Sequence, residues 1–160
     1  MLRVSIVCVG KLKEKYLKDA VSEYEKRLRS FCKFEIAEVD EERSADNPNA
    51  AQIENIIECE GKRILAKLDK STHVIAMCIE GKQKSSEGLA QYLENVAVGG
   101  VSSVAFVIGG SFGLSKEVKK RADLKLSMSE MTFPHQLARV MLCEQIYRAF
   151  SINAGTKYHK

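Results

Sequence analysis

The apolar run Ala105–Ile108 ends abruptly in Gly109-Gly110-Ser111-Phe112-Gly113. Such a run reads as a buried strand, and the glycines after it let the backbone turn sharply and come close to a ligand. Two chemistries use that geometry. One is a nucleophilic serine on a sharp turn; the other is a loop that holds a cofactor by its main chain.

The segments around this stretch set the fold class. Leu2–Val9 reads as a strand stopped by Gly10, and Lys13–Ser30 as an amphipathic helix with Tyr16, Ala20, Tyr24 and Leu28 along its apolar stripe. Lys33–Val39 alternates like a strand. Asp40–Asn49 is a polar, mostly acidic loop carrying Pro48, and Ala50–Leu68 is a second helix with Ile53, Ile56, Ile57, Ile64 and Leu65 inward. Thr72–Ile79 is almost continuously apolar, the mark of a strand buried on both faces, and Glu80-Gly81-Lys82 closes it.

A third helix begins at Ser85-Ser86-Glu87, with Leu89, Tyr92 and Leu93 inward, and ends near Gly99-Gly100. After the glycine loop, Ser115 can cap a short helix to Arg121. Ala122–Ser129 resembles a last strand, and a long helix runs from Pro134 to Ile152. Strands alternating with helices predict one α/β domain over residues 1–160, built on a mostly parallel sheet. Binding loops in such sheets lie beyond the carboxyl ends of the strands. That rule selects Gly10, Ile79–Gly81, Gly109–Gly113 and Ser129–Phe133.

Gly109–Gly113 matches G-x-S-x-G, the nucleophile elbow of α/β-hydrolases, and a triad of Ser111, Asp123 and His135 can be written in chain order. Against a small serine hydrolase stand the short chain, the lack of a His-Gly-Gly-Gly segment, and Asp123 at the start of a strand. A phosphate-binding P-loop needs Gly-Lys-Ser/Thr, yet Leu114 follows Gly113. A Rossmann site needs its glycines after the first strand, where only Gly10 stands. A main-chain cradle for a cofactor survives, beside a plain glycine-rich turn.

The helix from His135 to Ile152 spreads apolar side chains almost all the way round, so it is covered on most sides, by its own sheet and by a second subunit. Arg139 falls within roughly 40° of Ile146 and Phe150 on the helical wheel. An arginine there needs a carboxylate, a carbonyl or a ligand anion, because burying it unpaired is prohibitive. Glu144 and Arg148 have the spacing of a helix ion pair. No acidic residue follows Glu144, and the chain ends in Tyr158-His159-Lys160. Those three offer stacking, proton transfer and phosphate contact, as a nucleotide target asks; a frayed terminus is the other reading.

Charge is a weaker guide. Lys and Arg number 25 against 21 Asp and Glu, a formal net charge of +4, so any contact with an anionic partner depends on where the bases cluster. Lys11, Lys13, Lys15 and Lys18 could join the tail lysines in one basic rim, or be a solvated helix face. The five cysteines show no C-x-x-C pair and read as small buried hydrophobes of a reducing compartment, with no metal site. No apolar run reaches transmembrane length and the N-terminus lacks signal-peptide character, so the expected location is the cytoplasm, without membrane association.

Several stretches, taken jointly, closely resemble one family. They are Ile108–Leu114, Leu126-Ser-Met-Ser-Glu-Met-Thr-Phe-Pro-His-Gln136, Arg139, Glu144–Phe150 and Tyr158-His159-Lys160, with Val9–Lys13 and Glu23-Tyr24, Lys26-Arg27 near the start. The family is that of ribosomal RNA large-subunit methyltransferase H, small members of the SPOUT (α/β-knot) methyltransferases. The resemblance covers essentially the whole chain. It implies an α/β domain with a C-terminal trefoil knot, working as a homodimer with the knots at the interface.

The resemblance further implies that S-adenosyl-L-methionine is bound by Met77, Gly109 and the segment Met128, Ser129, Glu130, Met131, Thr132 and Phe133. The implied reaction is methylation of N3 of a pseudouridine in 23S ribosomal RNA, within the assembled ribosome; a SPOUT enzyme acting on another RNA is the alternative. N3–H is a weak acid, so a base or a stabiliser of the developing anion is needed. His159 is the candidate for assisting deprotonation, Tyr158 for ordering the base, and Arg139 for bracing the knot or holding an RNA or cofactor group. His135 is read as no more than a residue fixing the Pro134 turn.

Overall fold

The computed structural model describes residues 1–160. The elements are β1 (Arg3–Val9), α1 (Lys15–Leu28), β2 (Lys33–Val39), α2 (Ala50–Leu65), β3 (His73–Gln83), α3 (Ser86–Val98), β4 (Ser103–Ile108), α4 (Lys116–Arg121), β5 (Leu124–Ser127) and α5 (His135–Asn153). The five strands form one sheet in the order β2-β1-β4-β3-β5, with every pairing parallel.

The period-two alternation of the central strands divides the core between the two faces of the sheet. Val4, Ile6 and Cys8 of β1 and Val104, Phe106 and Ile108 of β4 pack with Val21, Leu93, Leu142 and Ile146 of α1, α3 and α5. The residues between them, Val7, Val9, Ala105 and Val107, pack on the other face with Ile64 of α2 and Val118 of α4. Both faces are covered, which explains why these strands read as unbroken apolar runs. Each fully buried Val, Ile or Phe contributes about 1.5–3 kcal/mol.

Helix starts follow the sequence closely. Ser85 and Ser115 accept hydrogen bonds from the amides of Gly88 and Val118, as N-caps do. Asn49 and Gln52 form a reciprocal capping box that starts α2.

Four expectations change, in α1, α2, β5 and β3. The buried stripe of α1 is Leu17, Val21 and Leu28, while Tyr16 is 69% exposed. A series spaced strictly by four drifts about 40° per step around a helix, so Tyr16 and Leu28 cannot share a face. The second helix stops at Leu65 rather than Leu68, and the last strand covers only Leu124–Ser127.

The strand β3 does not close at Glu80 but runs to Gln83. Met77 and Lys82 both pair with Leu126, so Cys78–Gly81 form a bulge between them. A Cβ at Gly81 would lie 2.7–2.8 Å from backbone atoms of Lys125 and Leu126. Gly81 therefore serves a close passage of two main chains, not the end of a strand.

The long helix α5 is covered as its sequence requires. From Ala138 to Ile152 no residue of this helix is exposed. It lies on the sheet between α1 and α3, with the C-terminal tail folded against it: Tyr147 meets the Tyr158 ring edge-on at 4.7 Å between centroids. Within one chain its inner side is buried, while Val140, Met141, Tyr147, Phe150 and Ile152 remain half-buried.

Candidate functional site

The main cleft lies at the carboxyl ends of β4 and β5, as the loop-end rule requires, and against the bulge within β3. It encloses about 750 Å³, within the roughly 300–1,000 Å³ of small-molecule sites. One wall is the bulge of β3, which turns out Cys78, Ile79 and Glu80. A second is the glycine loop, folded back so that the Gly113 amide donates to the Gly110 carbonyl at 3.1 Å. A Cβ at Gly109 would stand 2.7 Å from the Gly113 carbonyl carbon and oxygen, so this close fold excludes any side chain there.

The third wall is the segment after β5. The buried Ser127 hydroxyl donates to the Ser129 carbonyl, and the Ser129 hydroxyl accepts from the Met131 amide, both at 3.0 Å. These two bonds stand in for a strand ladder and give the loop its shape. The start of α5 completes the cleft with Phe133, Pro134 and His135. On the rim, Lys119 and Glu80 form an ion pair at 2.5 Å, and the hydrogen bond from Lys119 holds the Glu80 carboxyl below its ordinary range.

Met77, Gly109, Met128, Ser129, Met131, Thr132 and Phe133 all line this cleft. Glu130 does not; it is exposed. Gly10, the remaining loop-end residue, lines a separate polar cleft with Lys11, Lys13, Glu38 and Glu41. There Lys11 and Lys13 share the surface with carboxylates instead of forming a purely basic rim, and Lys15 pairs with Asp19 at 2.6 Å.

Arg139 is 1% exposed and outside the main cleft. Its guanidinium donates to Glu38 at 2.6 Å and to the Gly10 carbonyl at 3.0 Å, while its Nε is buried without a partner. It ties the first turns of α5 to the carboxyl ends of β1 and β2.

No residue of the tail Tyr158-His159-Lys160 lines the cleft of its own chain. The Tyr158 hydroxyl donates to Glu144 at 2.7 Å, and the Arg148 guanidinium sits over the Tyr158 ring. Glu144 and Arg148 form the expected helix pair at 2.7 Å. Both nitrogens of His159 are engaged: Nδ1 lies 3.1 Å from Arg148 and Nε2 2.7 Å from Glu87. Arginine can only donate, so Nδ1 accepts and Nε2–H donates to the carboxylate.

The hydrolase triad is not assembled. Asp123 accepts from the Val74 amide at 2.8 Å, at the opposite end of β5 from the cleft, and lies 3.8 Å from His73 rather than near His135. The cleft does contain His135, which by sequence is no more than a residue fixing the Pro134 turn. The chain's histidine hydrogen bonds belong to His73 and His159, leaving both nitrogens of His135 free. The signal was its position two residues beyond the loop Met128–Phe133.

The family described as "Predicted SPOUT methyltransferase" matches residues 2–159. The chain belongs to the SPOUT methyltransferases. It is 53% identical over 159 residues to the "Ribosomal RNA large subunit methyltransferase H" of Ligilactobacillus salivarius, covering 99% of this chain and 100% of that one. The proteins of the same name from Bacillus cytotoxicus and Clostridioides difficile are 55% and 53% identical over the same lengths. Among solved structures, a probable methylase family protein from Haemophilus influenzae superposes with a TM-score of 0.53 at 12% identity, over 99% of this chain and 70% of its own. That likeness concerns the fold. In this SPOUT domain no helix is long and apolar enough to cross a membrane, and no three His, Cys, Asp or Glu residues group as metal ligands would.

Proposed function

We propose that the protein is an S-adenosyl-L-methionine-dependent methyltransferase that methylates N3 of a pseudouridine in 23S ribosomal RNA. In this reading it acts on assembled ribosomes as a cytoplasmic homodimer whose C-terminal segment is knotted. The carrying observation is the coincidence of the cleft with the cofactor segments of the motif: Met77, Gly109 and six residues between 128 and 133, of which only Glu130 lies outside. Full-length identity above one half to relatives named for ribosomal RNA methylation supports the substrate class.

The cleft suits the cofactor. Met77, Ile108, Leu126 and Met128 offer an apolar bed for an adenine, and the main-chain groups of the glycine loop and of Ser129–Phe133 offer hydrogen bonds. The bound cofactor supplies a methyl group on a positively charged sulfur. The protein's part is to align the acceptor nitrogen with that carbon, exclude water and accept a proton.

Arg139 serves this site as a positioning residue, since its bonds to Glu38 and Gly10 fix the end of α5 that closes the cleft. Tyr158 and His159 are proposed to act on the RNA base. They do not line the cleft of their own chain, and in this reading they serve the cleft of the second subunit of the homodimer.

The test is titration of S-adenosylmethionine into the pure protein, followed by methyl transfer to whole ribosomes, free subunits and naked RNA, with mapping of the modified base. Binding in the micromolar range and a single methylated pseudouridine on ribosomes are expected. Absence of cofactor binding, or methylation of another RNA class only, would overturn the reading.

A further inference from the structure

We infer that His135 is the catalytic base, receiving the N3 proton of the acceptor base through a ring nitrogen that faces no protein partner. The inference rests on the methyltransferase reading above and names the residue of that site that handles the proton.

Three observations converge on His135. It lines the cleft directly after the loop Met128–Phe133, on the first residue of α5, so it stands on a rigid element rather than a tail. Neither ring nitrogen is consumed by a hydrogen bond within the chain, whereas His159 has both engaged by Arg148 and Glu87. A base must have a free lone pair within reach of the proton it takes. Of the two histidines, only His135 meets both conditions in one chain.

The electrostatics favour the neutral, proton-accepting imidazole. Partial burial lowers the His135 pKa from its ordinary value, and Arg139 and Lys13 lower it further, against an opposing pull from Glu41. The other charged pair on the cleft, Lys119 with Glu80, is mutually neutralised on the rim. Pro134 gives α5 no side-chain cap, so the positive end of a 19-residue helix stands at the cleft. It opposes a second positive charge on His135 and favours a negative charge developing on the acceptor base.

The step balances without another reactant. As the N3–CH3 bond forms and the S–CH3 bond breaks, the bonding pair of the latter stays on sulfur. The N3–H pair remains on nitrogen to make the new bond, and the proton passes to His135. The imidazolium then gives that proton to solvent.

The experiment compares the wild-type protein with His135→Gln and His135→Asn in three measurements. They are cofactor affinity by calorimetry, single-turnover methyl transfer to ribosomes between pH 5.5 and 9, and the titration of the His135 ring by NMR in the cofactor-free protein. The expected results are cofactor affinity within about threefold of wild type and a transfer rate lower by about 10²–10⁴-fold, the span of general-base catalysis. The wild-type rate should rise through the pKa that NMR assigns to His135, and the variants should lose that limb.

A variant rate within threefold of wild type overturns the inference, as does a pH limb that survives in the variants. Loss of cofactor binding in both variants also overturns it, because His135 would then be structural. A wild-type protein that methylates no RNA instead sinks the methyltransferase reading, which these variants do not test.

Discussion

Arg139 on α5 and Glu38 on β2 meet at 2.6 Å across a junction where the arginine is almost wholly buried. Removing the arginine leaves the Gly10 carbonyl without its donor, returns the partly exposed Glu38 to solvent and opens a cavity beneath α5. Arg139→Ala should therefore cost about 3 kcal/mol of stability. Arg139→Lys, which keeps the charge but not the two-pronged reach, should cost about 1–2 kcal/mol. Urea denaturation measures both. A change below about 0.5 kcal/mol in the alanine variant would mean that the junction is held by packing alone.

Gly109 and Ser111 separate the two chemistries that the glycine loop suggested. A methyl group at Gly109 would collide with the Gly113 carbonyl, so Gly109→Ala must open the turn that walls the cleft. Its cofactor affinity should fall at least tenfold, about 1.4 kcal/mol. The Ser111 side chain stands on the cleft away from Asp123, and Ser111→Ala should leave affinity and methyl transfer within about threefold. Calorimetry on both variants decides the matter; the reverse ranking would restore Ser111 as the important group.

Much of this site was legible because it lies where the parallel sheet ends. Apolar runs marked the strands, and Gly109 and Ser129–Phe133 followed from the loop-end rule. Other parts were hidden for identifiable reasons. Glu80-Gly81-Lys82 looks like a terminator in one dimension, and only the pairing of both Met77 and Lys82 with Leu126 shows that it is a bulge forming a wall. The place of Arg139 on an apolar face calls for a carboxylate, a carbonyl or a ligand anion, but its carboxylate partner is 101 residues away and no local spacing names it. Glu60 sits among polar residues of α2 and gave no sign of burial, yet it is 3% exposed.

The tail offers a prediction in pH. Burial raises the Glu144 pKa, but hydrogen bonds from Tyr158, Tyr24 and Arg148 outweigh it and hold the carboxyl below its ordinary value. A depressed carboxylate contributes stability above its unfolded pKa of about 4.3 and loses it as pH falls through the lower folded value. Tail docking should thus persist from pH 8 to 5 and fail only in stronger acid, as read from the Tyr158 ring resonances. At pH 7.5, Tyr158→Phe removes the hydroxyl that reaches Glu144, and trypsin should then cleave after Lys157 about tenfold faster. Equal cleavage rates would show that the hydroxyl does not hold the tail.

Glu60 gives the opposite pH signature. Its Oε2 accepts the Glu42 amide at 3.0 Å, but its Oε1 is buried against Gly110 with no partner. Burial raises its pKa, and the carboxylates of Glu41 and Glu42 add to the effect against the Glu42 amide and Arg63. The folded state then holds the proton more tightly than the unfolded one. The contribution of Glu60 to stability is greatest below the unfolded value of about 4.3 and declines as pH rises through the raised folded value. Above that value the charged, half-partnered carboxylate destabilises the support of the glycine loop. Glu60→Gln keeps the shape and the acceptor while removing the charge. It should gain about 1–2 kcal/mol over wild type at pH 8 and little or nothing at pH 4. Urea midpoints of both proteins at the two pH values test this. A difference that stays constant with pH would mean that Glu60 ionises in the fold as freely as in the open chain.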